Sequence, residues 1–152
     1  MIQKLPLVIV FLLFSLIGYS QTSSSLTLPK GCIQLRPDQM QWIDTSTTLP
    51  KGVKYCVLYG NIKKNAPFAI RLKLPPNLIV KTHYHLNDEV VTVLDGSVSV
   101  GFGDKTPSSE TKTFPANSFY VNAANVEHFL IAGNEGATIQ INSTGPWVTR
   151  FK

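Results

Sequence analysis

Histidine is scarce in this chain, with three residues in 152, so the position of each one carries information. Cysteine is scarcer still: Cys32 and Cys56 alone are too few for a metal site built on thiolates. Acidic residues number nine against 14 basic ones, a net charge of +5, yet the basic residues never form a run. Lys51, Lys54, Lys63, Lys64, Lys73 and Lys81 are scattered, with no interleaved aromatic ladder. A nucleic-acid face needs a concentrated basic stripe, so the charge reads as a soluble basic surface and excludes that class of partner. No apolar run reaches the roughly 20 residues of a membrane span. From about residue 30 onward there is no linker, no repeat and no helical period sustained over a dozen residues.

What is present begins with "MIQKLPLVIVFLLFSLIGYSQ", a lysine followed by an apolar stretch of about a dozen residues and then small residues. That order predicts a secretory signal peptide over residues 1–20, cleaved after Ser20. The protein is therefore expected to be exported, periplasmic or extracellular, and free of the membrane after cleavage, which also removes Lys4 and its charge. No cysteine follows the run, which argues against a lipid anchor. Residues 21–49 read as an N-terminal lead-in with the first strands, and residues 50–152 as the main domain. In an oxidising compartment Cys32 and Cys56 could bridge, closing a loop of roughly 25 residues worth about 3 kcal/mol. The alternative keeps both as thiols, with Cys56 packed in its strand as a small hydrophobe. The sequon Asn142-Ser143-Thr144 matters only in a glycosylating pathway.

Along the main domain, short alternating or β-branched runs recur between Gly, Pro, Asn and Asp: "VKYCVLYG", "FAIRLKL", "LIVKTHYH", "EVVTVLDG", "SVSVGFG", "SFYVN", "VEHFLIAG", "ATIQINS" and "WVTRF". Many short strands at this spacing predict an all-β antiparallel sandwich or barrel. Asp95-Gly96 between two runs predicts a type I′ hairpin, because both central residues of that turn need positive φ. The two prolines of "LKLPPN" end a strand, since neither can donate to a sheet ladder.

Two of the three histidines sit one residue apart in "THYHLNDEVV". Side chains alternate across a strand, so His83 and His85 share a face and Tyr84 takes the other. The short turn "LND" can return the Glu89 carboxylate to the same point. The third histidine, His128, lies in "NVEHFLIAG", where Val126, His128 and Leu130 are expected to share a face. A carboxylate among valines is costly to bury unless paired or bound to a cation. One metal ion held by His83, His85, Glu89 and His128 accounts for all of them. A histidine that only hydrogen-bonds a core carbonyl is the plainer reading for His128 alone, but not for the set.

The segment "HYHLNDEVVTVLDG" resembles the first signature of the cupin superfamily: His-any-His, three residues, Glu, six residues, Gly. It matches from His83 through Gly96, whereas the glycine that opens the signature is replaced by Asn77. "NSFYVNAANVEHFLIA" resembles the second signature more loosely, with Asn117 and Asn125 standing for glycines, Ala123 for proline and Ala132 for the terminal Asn. Asparagine is the residue besides glycine that best tolerates left-handed turns, so those exchanges are physically mild. The resemblance covers roughly residues 50–150. It implies a cupin-type double-stranded β-helix (jelly-roll) barrel, a homodimer, and one divalent transition metal ion, whether iron, manganese, zinc, nickel or copper, on His83, His85, Glu89 and His128.

Four such ligands leave open positions for water, dioxygen or a chelating substrate. No further acid or base is forced into the pocket: Glu127 takes the opposite face, and Asp88 is adjacent only in sequence. Phe68, Ile70, Val91, Val93 and Leu130 read as core that also bounds a cavity. Arg71 reads either as a reach toward a substrate carboxylate or as a residue of the outer face, and Trp147 as packing a strand against the barrel. Val90, Thr92 and Leu94 form a second apolar surface, expected to be covered by the segment around Trp42 or by a second subunit. With so little acid-base machinery the expected function is a metal-dependent oxidoreductase, dioxygenase-like, acting on a small chelating organic compound. The alternatives are a non-catalytic ligand- or metal-binding protein and a non-redox isomerase, decarboxylase or hydrolase.

Overall fold

The computed structural model describes residues 27–44, 49–103 and 110–152. The expected signal peptide lies outside the described residues. The chain divides into an N-terminal piece ending at Cys32, of which residues 27–32 are described, and a body, Ile33–Lys152. The described residues of the N-terminal piece hold one turn, in which Cys32 N–H donates to Pro29 O at 3.0 Å. Cys32 is exposed and Cys56 buried, and both are free thiols.

The body is built from antiparallel strands, with a single 3-10 turn at Pro37–Gln39 and, among the described residues, no α-helix. Two long strands organise it. β5 (Glu89–Phe102) and β8 (His128–Thr144) pair from Val90↔Asn142 to Phe102↔His128, with register shifts on either side of Asp95-Gly96. The other edge of β8 takes β3 (Pro67–Leu74) and then β4 (Ile79–Tyr84). The other edge of β5 takes β7 (Phe119–Asn122) and β6 (Lys112–Pro115). β2 (Lys54–Tyr59) extends the sheet from β3, with the two-residue β1 (Ile43–Asp44) beside it, and β9 (Arg150–Phe151) pairs with the end of β4. The sheet curls around one interior, as sustained right-handed twist demands.

The runs read from the sequence are these strands, with two corrections. "EVVTVLDG" and "SVSVGFG" are one strand, not a hairpin, and "VEHFLIAG" and "ATIQINS" are likewise one. Asp95 and Gly96 pair with Thr138 and Ala137 of β8, at register shifts on both sides. Gly96 does have the positive φ that its sequence context predicted, +66°, but uses it for a bulge that bends a continuous strand. A side chain there would strike the carbonyl oxygen of Gly136, so the bend also depends on glycine's missing Cβ.

Alternation along β5 buries Val91, Val93, Val98 and Val100, while Val90 and Thr92 are half-buried and Leu94 is exposed. β8 buries Leu130, Ile139 and Ile141 against them, with Ile70 and Leu72 from β3. Asn77, Asn117 and Asn125 all have positive φ, at 57°, 69° and 61°, the conformation expected where they replace glycine. Val126 departs from expectation: it is exposed in the turn ahead of β8 rather than beside His128 on a strand face. The segment before β1 lies along β3, where Lys73 sits 4.2 Å from the centre of the Trp42 ring.

Candidate metal centre

A bulge near the end of β4 sets the site. Ile79 and Val80 pair with Ile131 and Leu130, and after a register shift His83 stands opposite His128. Cross-strand neighbours touch, and these two rings lie 4.4 Å apart between centroids. His85, just past the end of β4, brings its ring to 5.1 Å from that of His83 and 5.7 Å from that of His128. One nitrogen from each imidazole falls within a cluster spanning no more than 4.8 Å. Glu89, the first residue of β5, places Oε1 3.2 Å from His85 Nε2 and Oε2 3.4 Å from His128 Nε2. All four side chains are buried.

The outer nitrogens decide the chemistry of the inner ones. His83 Nδ1 lies 2.7 Å from Lys81 O, His85 Nδ1 3.1 Å from Val148 O, and His128 Nδ1 2.9 Å from Val126 O. A carbonyl can only accept, so each Nδ1 carries the proton and donates it, leaving each neutral ring with a bare lone pair on Nε2. Burial holds His83 down to about 4, with the neighbouring His128 adding to the effect. Burial also lowers His85, against the attraction of Glu89. Near neutral pH the His83 and His85 rings are therefore uncharged. Burial pushes the Glu89 carboxyl up, and it is held below the usual carboxylate range only by positive charge at the inner nitrogens of His128 and His85, a proton or a metal ion, and by the Asn122 amide.

Three nitrogen lone pairs thus converge on an ionised carboxylate with no proton between them, and His128 Nε2 is buried without a hydrogen-bond partner. Acceptors facing acceptors in a buried site are destabilising unless a cation sits among them. The donor set, imidazole nitrogens and one carboxylate, suits first-row transition metals, and the Nδ1–carbonyl bonds are the usual way such ligands are oriented. The residues present fit a metal ion.

A cavity of about 40 Å³ adjoins the four side chains. At about 10–15 Å³ per water it holds around three waters' worth of ligand. Of the residues expected to bound it, Val91 and Leu130 do, whereas Phe68, Ile70 and Val93 are core behind it. Arg71 is on the outer face, bonded to Gln140 at 3.1 Å. Glu127 pairs with Lys152 and Asp88 accepts from Ala124 N–H, both outside the site.

Three residues have roles at the site that the sequence did not mark. Asn122 donates to Glu89 Oε2 and the Trp147 indole to Glu89 Oε1, each at 3.2 Å. Tyr120 lines the cavity, and burial, with the Glu89 charge second, raises its phenol so that it stays protonated. Tyr120 and Asn122 share parity in "SFYVN", a signal available once Asn122 is known to pair with Glu89. Trp147 packs against the core as expected, but it also stacks on His85 at 5.5 Å with 12° between planes.

No protein-family model and no curated protein matches the sequence. Solved structures do match in fold. The chain is similar to KdgF from Halomonas sp., with 16% identity over 72% of this chain and 92% of that one, at a TM-score of 0.55. An RmlC-like cupin from Shewanella frigidimarina matches at 18% identity, 74% and 90% coverage, and a TM-score of 0.58. RemF, a polyketide cyclase from Streptomyces resistomycificus, matches at 11% identity, 78% and 83% coverage, and a TM-score of 0.63. With strands curled around an interior histidine cluster and these neighbours in fold, the chain is a cupin-fold protein, a double-stranded β-helix.

Proposed function

We propose that this protein is an exported metal-dependent oxidoreductase, dioxygenase-like, acting on a small chelating organic compound. One observation carries the reading: three buried Nε2 lone pairs and an ionised carboxylate face one another, their outer nitrogens already committed to backbone carbonyls. His83, His85, His128 and Glu89 would hold one divalent ion. When bound, that ion supplies Lewis-acid and redox chemistry at its open positions.

The chain's own residues do the rest. Trp147 and Asn122 hold the Glu89 carboxylate, and its single negative charge offsets half that of a divalent ion. Val91, Leu130 and Ile141 wall the cavity with hydrocarbon and exclude bulk water. Beyond the four ligands, Tyr120 is the one titratable side chain bounding the cavity among the described residues. Its phenolic proton could be donated to a substrate oxygen, but a strong general base is not to hand. That scarcity supports chemistry centred on the ion rather than on side-chain acid-base pairs. The cavity's size supports a small substrate.

On the same reading the protein works outside the cytoplasm, as the N-terminal sequence pattern suggests, and as a homodimer. Exposed Phe119 and Val121 on β7, paired with half-buried Thr92 and Val90 of β5, support self-association as an apolar strip larger than isolated exposed residues would make.

The test is elemental analysis of protein secreted natively and purified without a histidine tag, followed by oxygen uptake with small chelating acids and diols. About one equivalent of iron, manganese, copper or nickel, lost in His83→Ala, with substrate-dependent oxygen consumption, is the expected result. Zinc without oxygen uptake would replace the proposal with non-redox chemistry or ligand binding. No metal after reconstitution would remove the metal reading.

A further inference from the structure

We propose that Trp147 is a positioning residue of this centre, its indole fixing the Glu89 carboxylate and the His85 ring together. The inference deepens the metal reading above. The terminal torsion of a glutamate is broad, so one hydrogen bond leaves the carboxylate plane free to turn. Here two donors hold different oxygens: Trp147 Nε1–H on Oε1 and Asn122 Nδ2–H on Oε2, each at 3.2 Å. An indole has one donor and no acceptor, so its direction toward Oε1 is unambiguous. The same ring lies nearly parallel to His85, 12° from coplanar at 5.5 Å. The next residue's carbonyl, Val148 O, takes the His85 Nδ1 proton at 3.1 Å. His85 is thus held on its face by Trp147 and at its edge by Val148.

The backbone beneath the indole is fixed as well. Gly145 N–H donates to Ala66 O at 3.0 Å and Trp147 N–H to Ile62 O at 2.7 Å. A Cβ on Gly145 would strike Lys64 O, so this segment lies tight against residues 62–66. Phe68 also packs against the indole, with 6.2 Å between ring centroids and the planes tilted by 55°. Packing alone accounts for a large aromatic ring at this position. It does not account for an N–H aimed at the one carboxylate of the site.

The experiment is a zinc titration by competition with a chromophoric chelator on four proteins: wild type, Trp147→Phe, Glu89→Ala and the double variant. The indole N–H resonance of the metal-free Trp42→Phe protein, in which Trp147 is the remaining tryptophan, is recorded with and without Glu89→Ala. Trp147→Phe is expected to weaken zinc binding by about 10–100-fold and to change it by less than about twofold once Glu89 is Ala. The indole proton is expected downfield, moving to the free-indole value in Glu89→Ala. Wild-type affinity in Trp147→Phe, or the same loss in both backgrounds, would overturn the proposal, since a packing role alone is indifferent to Glu89. Should wild type take up no zinc, the metal reading falls and the indole proton decides alone. Unmoved by Glu89→Ala it overturns the positioning role; moved, it sustains it.

Discussion

His83 shows how a single side chain ties the site to the stability of the whole chain. Its ring is buried among two other imidazoles, and burial lowers it from 6.5 to about 4. Between those values the unfolded chain binds a proton that the folded one refuses. The unfolded state therefore binds more protons in that window, and stability falls as pH falls through it. Glu89, held below the usual carboxylate range, acts in the same direction below pH 4.5. Urea unfolding of the metal-free protein is expected to show stability level above about pH 7 and falling toward pH 4. From His83 alone the loss is on the order of 3 kcal/mol. His83→Gln should flatten the profile between pH 6.5 and 4, and an unchanged slope in that variant would show that the loss arises elsewhere.

At the scale of the strand, the site depends on irregularities. A regular β4 would not bring His83 opposite His128; the register shift between Val80 and His83 does. A regular β5 could not run from Glu89, beside the histidine cluster, to Phe102 while staying paired to β8 around the curl; the bulge at Gly96 lets it. Gly96→Ala is expected to cost at least about 1–2 kcal/mol, because positive φ is unfavourable for an L side chain and the new Cβ meets the Gly136 carbonyl. Asn125→Gly, at φ +61°, should stay within about 0.5 kcal/mol of wild type. Asn125→Val should cost about 1–2 kcal/mol for the same steric reason. Urea midpoints at constant slope would check all three. Equal stability of Gly96→Ala and wild type would mean that the bulge relaxes around a side chain.

Taken as a whole, the molecule encloses the histidine cluster, so binding of an ion there and folding are linked. A metal that binds the folded chain alone stabilises it by RT ln(1 + [L]/Kd), about 2.7 kcal/mol at a hundredfold excess over Kd. Thermal unfolding with added zinc is expected to shift upward by several degrees, the shift growing with the logarithm of zinc concentration. In His128→Ala the shift should vanish, since His128 sits between His83 and Glu89. A shift that persists in that variant would place the stabilising ion at another site.

The histidine cluster and the strand class were legible from order along the chain. Strand alternation is a local rule, so His83 and His85 had to share a face. Glu89 among valines needed a partner wherever it was buried. The three asparagines could be assigned left-handed conformations because φ is a property of one residue and its neighbours. Tertiary structure alone decided the rest. Whether Asp95-Gly96 turned the chain back or bent a continuous strand depended on β8, where Asp95 pairs with Thr138 and Gly96 with Ala137, 43 and 41 residues away. Trp147 had no periodicity to mark it, and its indole reaches Glu89 across 58 positions of sequence. Local sterics act within a few residues and leave a trace in composition and spacing. Register between distant strands arises only when the core closes, and that step turned Asn122, Tyr120 and Trp147 into parts of the site.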